Sequence, residues 1–436
     1  MDMSLGESVR GMTELDRTKF FKCVSVPAVR VPNCNVGKSM KIFKKFLLKL
    51  AMVKPVVESG SEHKLVLLDP LIFKGFTQLE SQEKANLSLL EVTCESFLET
   101  SVNLTYDNFK MEDVLKMVLP EGKEGCTAYS RVGHIVHVNL RDHLLPYKSL
   151  IGEVMLDKLI GVRTVVNKSQ TIDSTYRNFQ MEILAGEADF VAQVKENSCV
   201  FKFDFSKVYW NSRLCTEHER IIKTLPQGSV LFDVFAGVGP FAVPAAKIRG
   251  CRVFANDLNP HSYEWLKENI RHNKVKNIEA FNLDGREFIG QHLKNFLLSR
   301  SREPIHVTMN LPALAVEFLD SFVGLLASDA LETSSLIESS LLNLTVHVYS
   351  FCADASAAAE MRKKVESSLR FSLSDDQIVE IIDVRDVSPK KHMLRMSFRM
   401  PRDVLFKHCT SALDGAPEPK RIKLLNSPQQ SSEAGL

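Results

Sequence analysis

The stretch 231–241, LFDVFAGVGPF, places an acid, Asp233, at the end of an apolar run and then two glycines, Gly237 and Gly239, separated by one residue and followed by Pro240. An apolar strand that ends in a tight glycine turn and continues as a helix opens backbone amides to a ligand at the carboxyl end of a sheet. Two ligand classes use that turn. A dinucleotide site wants GxGxxG with a pyrophosphate on the helix N-terminus, and Ala242 stands where the third glycine would be, which that pattern tolerates. The acids discriminate better than the glycines. Asp257 ends the next apolar run in FANDLNP, where a carboxylate can accept ribose hydroxyls. Asp284 ends the following one in NLDG, where a carboxylate can receive an exocyclic amine while Gly285 lets the chain pass the ring. Glycine, acid and acid at three consecutive strand ends suit an adenosine with a sulfonium tail better than a pyrophosphate, which prefers basic or neutral surroundings. A nicotinamide dehydrogenase is the alternative, separable by which cofactor raises the melting temperature.

A fourth strand end supplies MNLPA, with Asn310 and Pro312. It looks like the NPPY box of methyltransferases that act on exocyclic amines, but Leu311 replaces the first proline and no aromatic follows, which weakens adenine-N6 chemistry. The bland alternative is a strand-ending turn.

These residues need a sheet to hold them. From Ser229 the chain alternates apolar strands with helices of ten to fifteen residues, the rhythm of a doubly wound α/β domain. The expected fold over 229–402 is a mostly parallel, seven-stranded Rossmann-like sheet closed by an antiparallel terminal hairpin, QIVEIIDVRDVSPKKHMLRMSFRMP. Upstream, KLVLLDPL and MEDVLKMVLP predict a small α/β domain over 20–122, ended by the turn-rich PEGKEG. Residues 123–228 predict a mostly antiparallel lead-in, in which the strand period turns His134 and His137 to opposite faces and argues against a metal pair. An amphipathic helix is expected in NVGKSMKIFKKFLLKLA, with Lys41, Lys44, Lys45 and Lys49 as candidate phosphate contacts or as a solvated face. Its NVGKS is no phosphate loop, since Pro32 occupies the required glycine position. Residues 1–19 are expected to be flexible and 403–436 to form a disordered tail, whose PKRIKL is a candidate nuclear import signal.

Composition excludes little. A chain of 436 residues with 55 basic and 53 acidic side chains has a net charge of only +2, so any nucleic-acid partner must be met by local patches. Nine cysteines without a CxxC pair argue for free thiols and against a zinc site. No apolar run approaches the ~20 residues of a membrane span, and the first residues lack a signal-peptide core.

Taken in order, TYRNFQMEILAGE, VYWNSRLCTEHERI, FDVFAGVGPFAVPAAK, FANDLNP, NLDG and MNLP closely resemble the eukaryotic and archaeal tRNA (guanine-N1) methyltransferases that modify guanosine 37. The resemblance covers 127–401, and the region before it looks like the family's tRNA-recognition domain; one departure is Ser212 where the family often has proline. It implies a methyl transfer from S-adenosylmethionine to N1 of the guanine 3′ to the anticodon, by a monomer, in cytoplasm, nucleus and mitochondrial matrix. It also implies roles: Glu217 as general base, Arg177 stabilising charge on guanine O6, and Asn310 orienting the target base. His218, Phe235, Gly237, Gly239, Asp257, Leu258, Asp284, Gly285, Asn310 and Pro312 would bind the cofactor; Arg177, Arg213 and Asn259 would bind the tRNA. The related transferase of wybutosine synthesis moves an aminocarboxypropyl group from the same cofactor and needs no base at N1, so TEHER and MNLP favour methyl transfer. A tRNA-binding module without activity is the other alternative.

Overall fold

A computed structural model describes residues 8–121, 128–172, 179–299, 303–327, 343–353, 356–388 and 391–407. The chain divides into two compact units, Met1–Ser169 with Met181–Asp189, and Gln170–Gln180 with Phe190–Leu436.

The first unit holds β1 (Lys22–Pro32), α1 (Val36–Phe43), β2 (Val56–Ser59), β3 (His63–Leu67), α2 (Ser81–Ser88), β4 (Phe97–Leu104) and α3 (Met111–Val118), followed by β5 (Ser130–Val132), β6 (Ile135–Val138), α4 (Lys148–Lys158) and most of β7 (Thr164–Ile172) and β8 (Phe179–Gly186). Strands order as β2-β3-β1-β4 and β5-β6-β7-β8. The lead-in was expected to be mostly antiparallel; β5 and β6 are, while β6 and β7 run parallel. One apolar core includes Val24, Leu104 and Val114 together with Val136, Ile151 and Val165. Residues on either side of the expected boundary at 122 therefore bury their apolar faces against each other. Residues 8–19 also pack: Val9 is buried and the Gly11 amide donates to Val118 O at 2.8 Å. The expected long amphipathic helix stops at Phe43 and continues as a short 3-10 turn to Phe46, with Phe43 and Phe46 buried and Lys41, Lys44, Lys45 and Lys49 exposed.

The second unit opens with a hairpin of β9 (Val191–Glu196) and β10 (Cys199–Asp204). Its two turn residues, Asn197 and Ser198, both have positive φ, the conformation a two-residue hairpin turn requires to match strand twist. After α5 (Cys215–Thr224) come β11 (Val230–Asp233), α6 (Ala242–Arg249), β12 (Arg252–Asn256), α7 (Pro260–His272), β13 (Ile278–Phe281), α8 (Gly285–Phe288), α9 (Lys294–Leu298), β14 (Ile305–Met309), β15 (Leu344–Ala353), α10 (Ala357–Leu369), β16 (Ile378–Ser388), β17 (Lys391–Arg399) and α11 (Arg402–Leu405). The seven strands order as β13-β12-β11-β14-β15-β17-β16. Strands β11 to β15 pair in parallel and β17 lies antiparallel between β15 and β16. The hairpin expected to form an antiparallel edge is thus inserted by its second strand. Burial explains the choice: Met393 to Phe398 of β17 are all buried, whereas β16 is half-exposed along its length. Val404 and Leu405 are buried and accept backbone bonds from Gly324 and Leu326, so the chain is still packed past residue 403. The PKRIKL cluster lies outside the described residues. Among the described residues no helix is long and apolar enough to cross a membrane.

Candidate active site

Strand β11 is buried along its whole length, and its last residue, Asp233, carries the acid into the core. Thr308 Oγ1 of β14 donates to Asp233 Oδ1 at 2.9 Å, and Oδ2 is buried without a partner. Burial, helped by the nearby Asp257 charge, pushes this carboxyl up to about 7 against the Thr308 bond.

Beyond Asp233 the two glycines answer different demands. Gly237 has φ of 55° and nothing within 4 Å of where a Cβ would stand, so its backbone faces open space. Gly239, with φ of 97°, is fixed by packing: a Cβ there would come within 2.8 Å of Leu266 Cδ1 and 2.9 Å of Val243 Cγ2. Close approach to a ligand accounts for the first glycine only. Gly285 likewise makes room for protein, since a Cβ would meet Phe318 at 3.0 Å and Phe235 at 3.1 Å, two rings packed edge to face with centroids 5.0 Å apart.

Asp257, at the end of β12, is drawn to the turn by the backbone. Gly237 N donates to its Oδ2 at 2.8 Å and Asn259 N to its Oδ1 at 2.9 Å. Burial still pushes the carboxyl up to about 6, because desolvation outweighs those bonds. The Ser262 side chain also hydrogen-bonds this carboxylate, so of its about four lone-pair positions one is left for a ligand hydroxyl. Leu258, 47% exposed, presents an apolar surface beside it. Its carbonyl and that of Asp257 accept from Asn282 Nδ2 at 3.0 and 2.7 Å. Half-buried Asp284 caps α8 through Arg286 N at 2.8 Å, which occupies one position on Oδ1.

Two asparagines that the sequence reading missed hold this cluster. Asn256 Nδ2 donates to Val234 O at 3.1 Å and Leu283 O at 3.0 Å while its Oδ1 accepts from Leu283 N at 2.9 Å, tying the ends of β11, β12 and β13 together. Asn269 of α7, fully buried, donates to Val238 O in the glycine turn at 3.0 Å and accepts from Lys202 N of β10 at 2.8 Å. An asparagine at the end of an apolar strand is a signal that could have marked Asn256; Asn269 reads as one more polar residue on a helix.

Glu217 is 3% exposed on α5. Its Oε1 accepts from Tyr349 Oη at 2.9 Å and from Arg395 Nε at 2.6 Å, and its Oε2 accepts from Arg220 Nη1. Arg395, fully buried on β17, also donates to Glu380 Oε1 at 2.6 Å and to Ser397 Oγ, leaving Nη2 without a partner. Burial and the Glu217 charge push the Tyr349 hydroxyl far above its ordinary value, so it stays a donor. The arginine inside the apolar run MLRMSF was a readable demand for a buried acid. A cluster of Leu214, Ile221, Phe241, Tyr349 and Met393 seats α5 between the start of α6 and strands β15 and β17, and so brings Glu217 beside the glycine turn.

The other expected site residues divide. His218 sits with Nδ1 2.5 Å from buried Glu196 Oε1 and its ring edge-on to Phe241 at 4.7 Å. Asn259 caps α7 through His261 N at 3.0 Å and donates to Lys207 O at 2.9 Å, so both ends of its amide are occupied by the protein. That arrangement fixes the loop after Asp257 and uses one of the two amide N–H groups. Arg213 is exposed, and its guanidinium has no partner among the described residues. Asn310 and Pro312 follow β14, half-buried, with Phe351 N donating to Pro312 O at 3.1 Å. Arg177 lies outside the described residues. Asp383, Asp386 and His392 bring metal-type atoms within 4.8 Å of one another, but on an exposed hairpin where His392 Nδ1 already bonds both acids.

Comparison with known proteins turns this geometry into a family. Residues 192–333 match the family described as the TRM5/TYW2 methyltransferase domain, and residues 111–189 match the TYW2 N-terminal domain. A Drosophila pseudoobscura tRNA (guanine(37)-N(1))-methyltransferase is 50% identical over 405 residues, covering 91% of this chain and 90% of the relative. The chain belongs to the tRNA (guanine(37)-N1)-methyltransferase family. The human relative of the same name is 46% identical over 422 residues, 94% of this chain and 80% of the relative. Among solved structures, Trm5b of Pyrococcus abyssi shares the fold with a TM-score of 0.58 and 22% identity over 86% of this chain and 99% of that one. A Trm5 solved as a complex with tRNALeu gives the same TM-score at 21% identity, covering 86% of this chain and 100% of that one.

Proposed function

We propose that this family member transfers the methyl group of S-adenosylmethionine to N1 of guanosine 37 in tRNA, acting as a monomer. The observation that carries the reading is the open backbone at Gly237, its amide seated on Asp257, within the same packed unit as a buried carboxylate on α5. The residues fit the cofactor. Asp257 retains a lone pair for a ribose hydroxyl, and Leu258 offers a face for a purine. When bound, S-adenosylmethionine supplies an electrophilic methyl group on a positively charged sulfur.

Guanine N1 carries a proton at neutral pH and becomes nucleophilic only as that proton leaves. Three of the roughly four lone-pair positions of Glu217 are taken by Tyr349, Arg395 and Arg220, so one remains, on Oε2, to receive the N1 proton. Arg220 is the partly exposed partner and can make way. Asn310 orients the base by its amide, and Arg177 offsets the charge that builds on O6. The target guanosine must leave its stack to enter. Lys41, Lys44 and Lys49 of the first unit contact tRNA phosphates, whereas Lys45 is already paired with Glu83 at 2.7 Å.

The test is to incubate unmodified tRNA with methyl-labelled cofactor and to locate the label after nuclease digestion. Label on N1 of guanosine 37 supports the reading; label elsewhere or none overturns it. The match of residues 111–189 to the TYW2 N-terminal domain favours a second reading, transfer of the aminocarboxypropyl group, which the product mass separates from methylation.

A further inference from the structure

At the carboxyl ends of β14 and β15 the second unit opens a cavity of about 700 Å³ between the MNLP turn, the end of β15 and one face of α10. Its walls include Pro312, Leu314, Phe351, Lys363, Lys364 and Lys391. Leu314 is 42% exposed and, with Pro312, gives the wall an apolar surface. Lys364 is committed, donating to Phe351 O at 2.7 Å and pairing with Glu360 at 2.7 Å. Lys363 and Lys391 are not: both are exposed, neither has an acid partner among the described residues, and Lys391 Nζ sits 4.4 Å from the centroid of Phe351. An exposed lysine held over a ring at a cavity wall has already lost freedom, which lowers the cost of meeting an anion. Glu317, on the same wall as Leu314, is an acceptor for an exocyclic amine.

A floor of proline and leucine, two free ammonium groups and, apart from the Glu360 that Lys364 holds, one uncommitted carboxylate acceptor match a single nucleotide: a base face, a phosphate and a base edge. Pro312 belongs both to this cavity and to the turn that carries Asn310, and two residues of chain span no more than ~7 Å. We propose that the cavity seats a nucleotide adjoining the target guanosine, with its phosphate on Lys363 and Lys391 and its base against Pro312 and Leu314. The inference rests on the reading that Asn310 meets the target base. It places part of the RNA grip on the methyltransferase unit, on lysines far in sequence from the basic helix of the first unit.

The experiment measures equilibrium binding of unmodified tRNA to the full chain over a series of salt concentrations, for the parent, Lys363→Ala/Lys391→Ala and Lys363→Glu. A second substrate, an anticodon stem-loop with uncharged methylphosphonates on both sides of the target nucleotide, removes the phosphate instead of the lysine. Losing one neutralised single-strand phosphate should weaken binding about tenfold and reduce the salt slope by about 0.7. The double variant should then bind the charged and uncharged stem-loops alike, with an unchanged melting temperature, since both lysines are exposed. Parent affinity and slope in the double variant, or an equal penalty from the methylphosphonates in parent and variant, would overturn the assignment. Because the readout is binding, a product bearing aminocarboxypropyl instead of methyl would sink the proposed function and leave this site standing. Normal methylation with no effect of the lysines would do the reverse.

Discussion

Two acids at strand ends carry opposite consequences for folding and for ligand binding. Asp233 and Asp257 are pushed up to about 7 and about 6 by burial, above the ordinary aspartate value of about 3.9. Between those values the folded chain holds protons that the unfolded chain has lost, so their contribution to stability falls as pH rises through that window. His306, pushed down to about 4 by burial, has the opposite sign: the unfolded chain binds the proton first, and stability falls as pH drops from about 6.5. The two trends overlap and offset, which makes cofactor affinity the cleaner readout. Accepting ribose hydroxyls requires the Asp257 carboxylate, so calorimetric affinity for S-adenosylmethionine should rise as pH climbs through about 6 and the step should flatten in Asp257→Asn. A step of the same height in the variant would remove Asp257 from that role. For Glu217→Gln, single-turnover methylation should slow at least ~100-fold with cofactor affinity nearly unchanged, the range typical of a general base. A variant as fast as its parent across the pH range would leave Glu217 as a purely structural acid.

At the level of elements, the site is a set of loops held by side-chain amides. Asn269 links the β9–β10 hairpin to the glycine turn through Lys202 N and Val238 O, the second bond buried and the first partly so. Asn269→Leu leaves the buried Val238 carbonyl unpaired, at a cost of about 1–3 kcal/mol, and frees the partly buried Lys202 N–H. Its denaturation midpoint should fall, and its cofactor affinity should weaken because the turn bearing Gly237 loses a strut. An unchanged affinity in a protein that is measurably destabilised would confine Asn269 to holding the hairpin. The strand ends were readable because apolar run, turn residue and acid are neighbours in the chain, as in FANDLNP. The struts were not, because Asn269 meets partners 67 and 31 residues away.

On the scale of the whole second unit, Arg395 joins α5, β15, β16 and β17 around one buried charge network. Removing it takes from buried Glu217 its one fully buried cation, leaving Tyr349 and the partly exposed Arg220, so Arg395→Met should cost about 3–5 kcal/mol, and replacing Glu217 as well should return part of the loss. Denaturation of the single and double variants measures this; strictly additive losses would mean that the two groups do not depend on each other. The amino-acid sequence alone determined the strand-turn-helix rhythm after Ser229, the acids at three strand ends and the family, since each of these is written in contiguous residues whose period and turn chemistry act locally. Tertiary structure decided that Gly239 and Gly285 make room for Leu266 and Phe318, that Asn259 is spent on Lys207, that β17 enters the sheet ahead of β16, and that Glu217 lies under an arginine 178 positions away. Those outcomes depend on which surfaces meet once the chain is compact, and burial energies between distant residues have no local pattern to announce them.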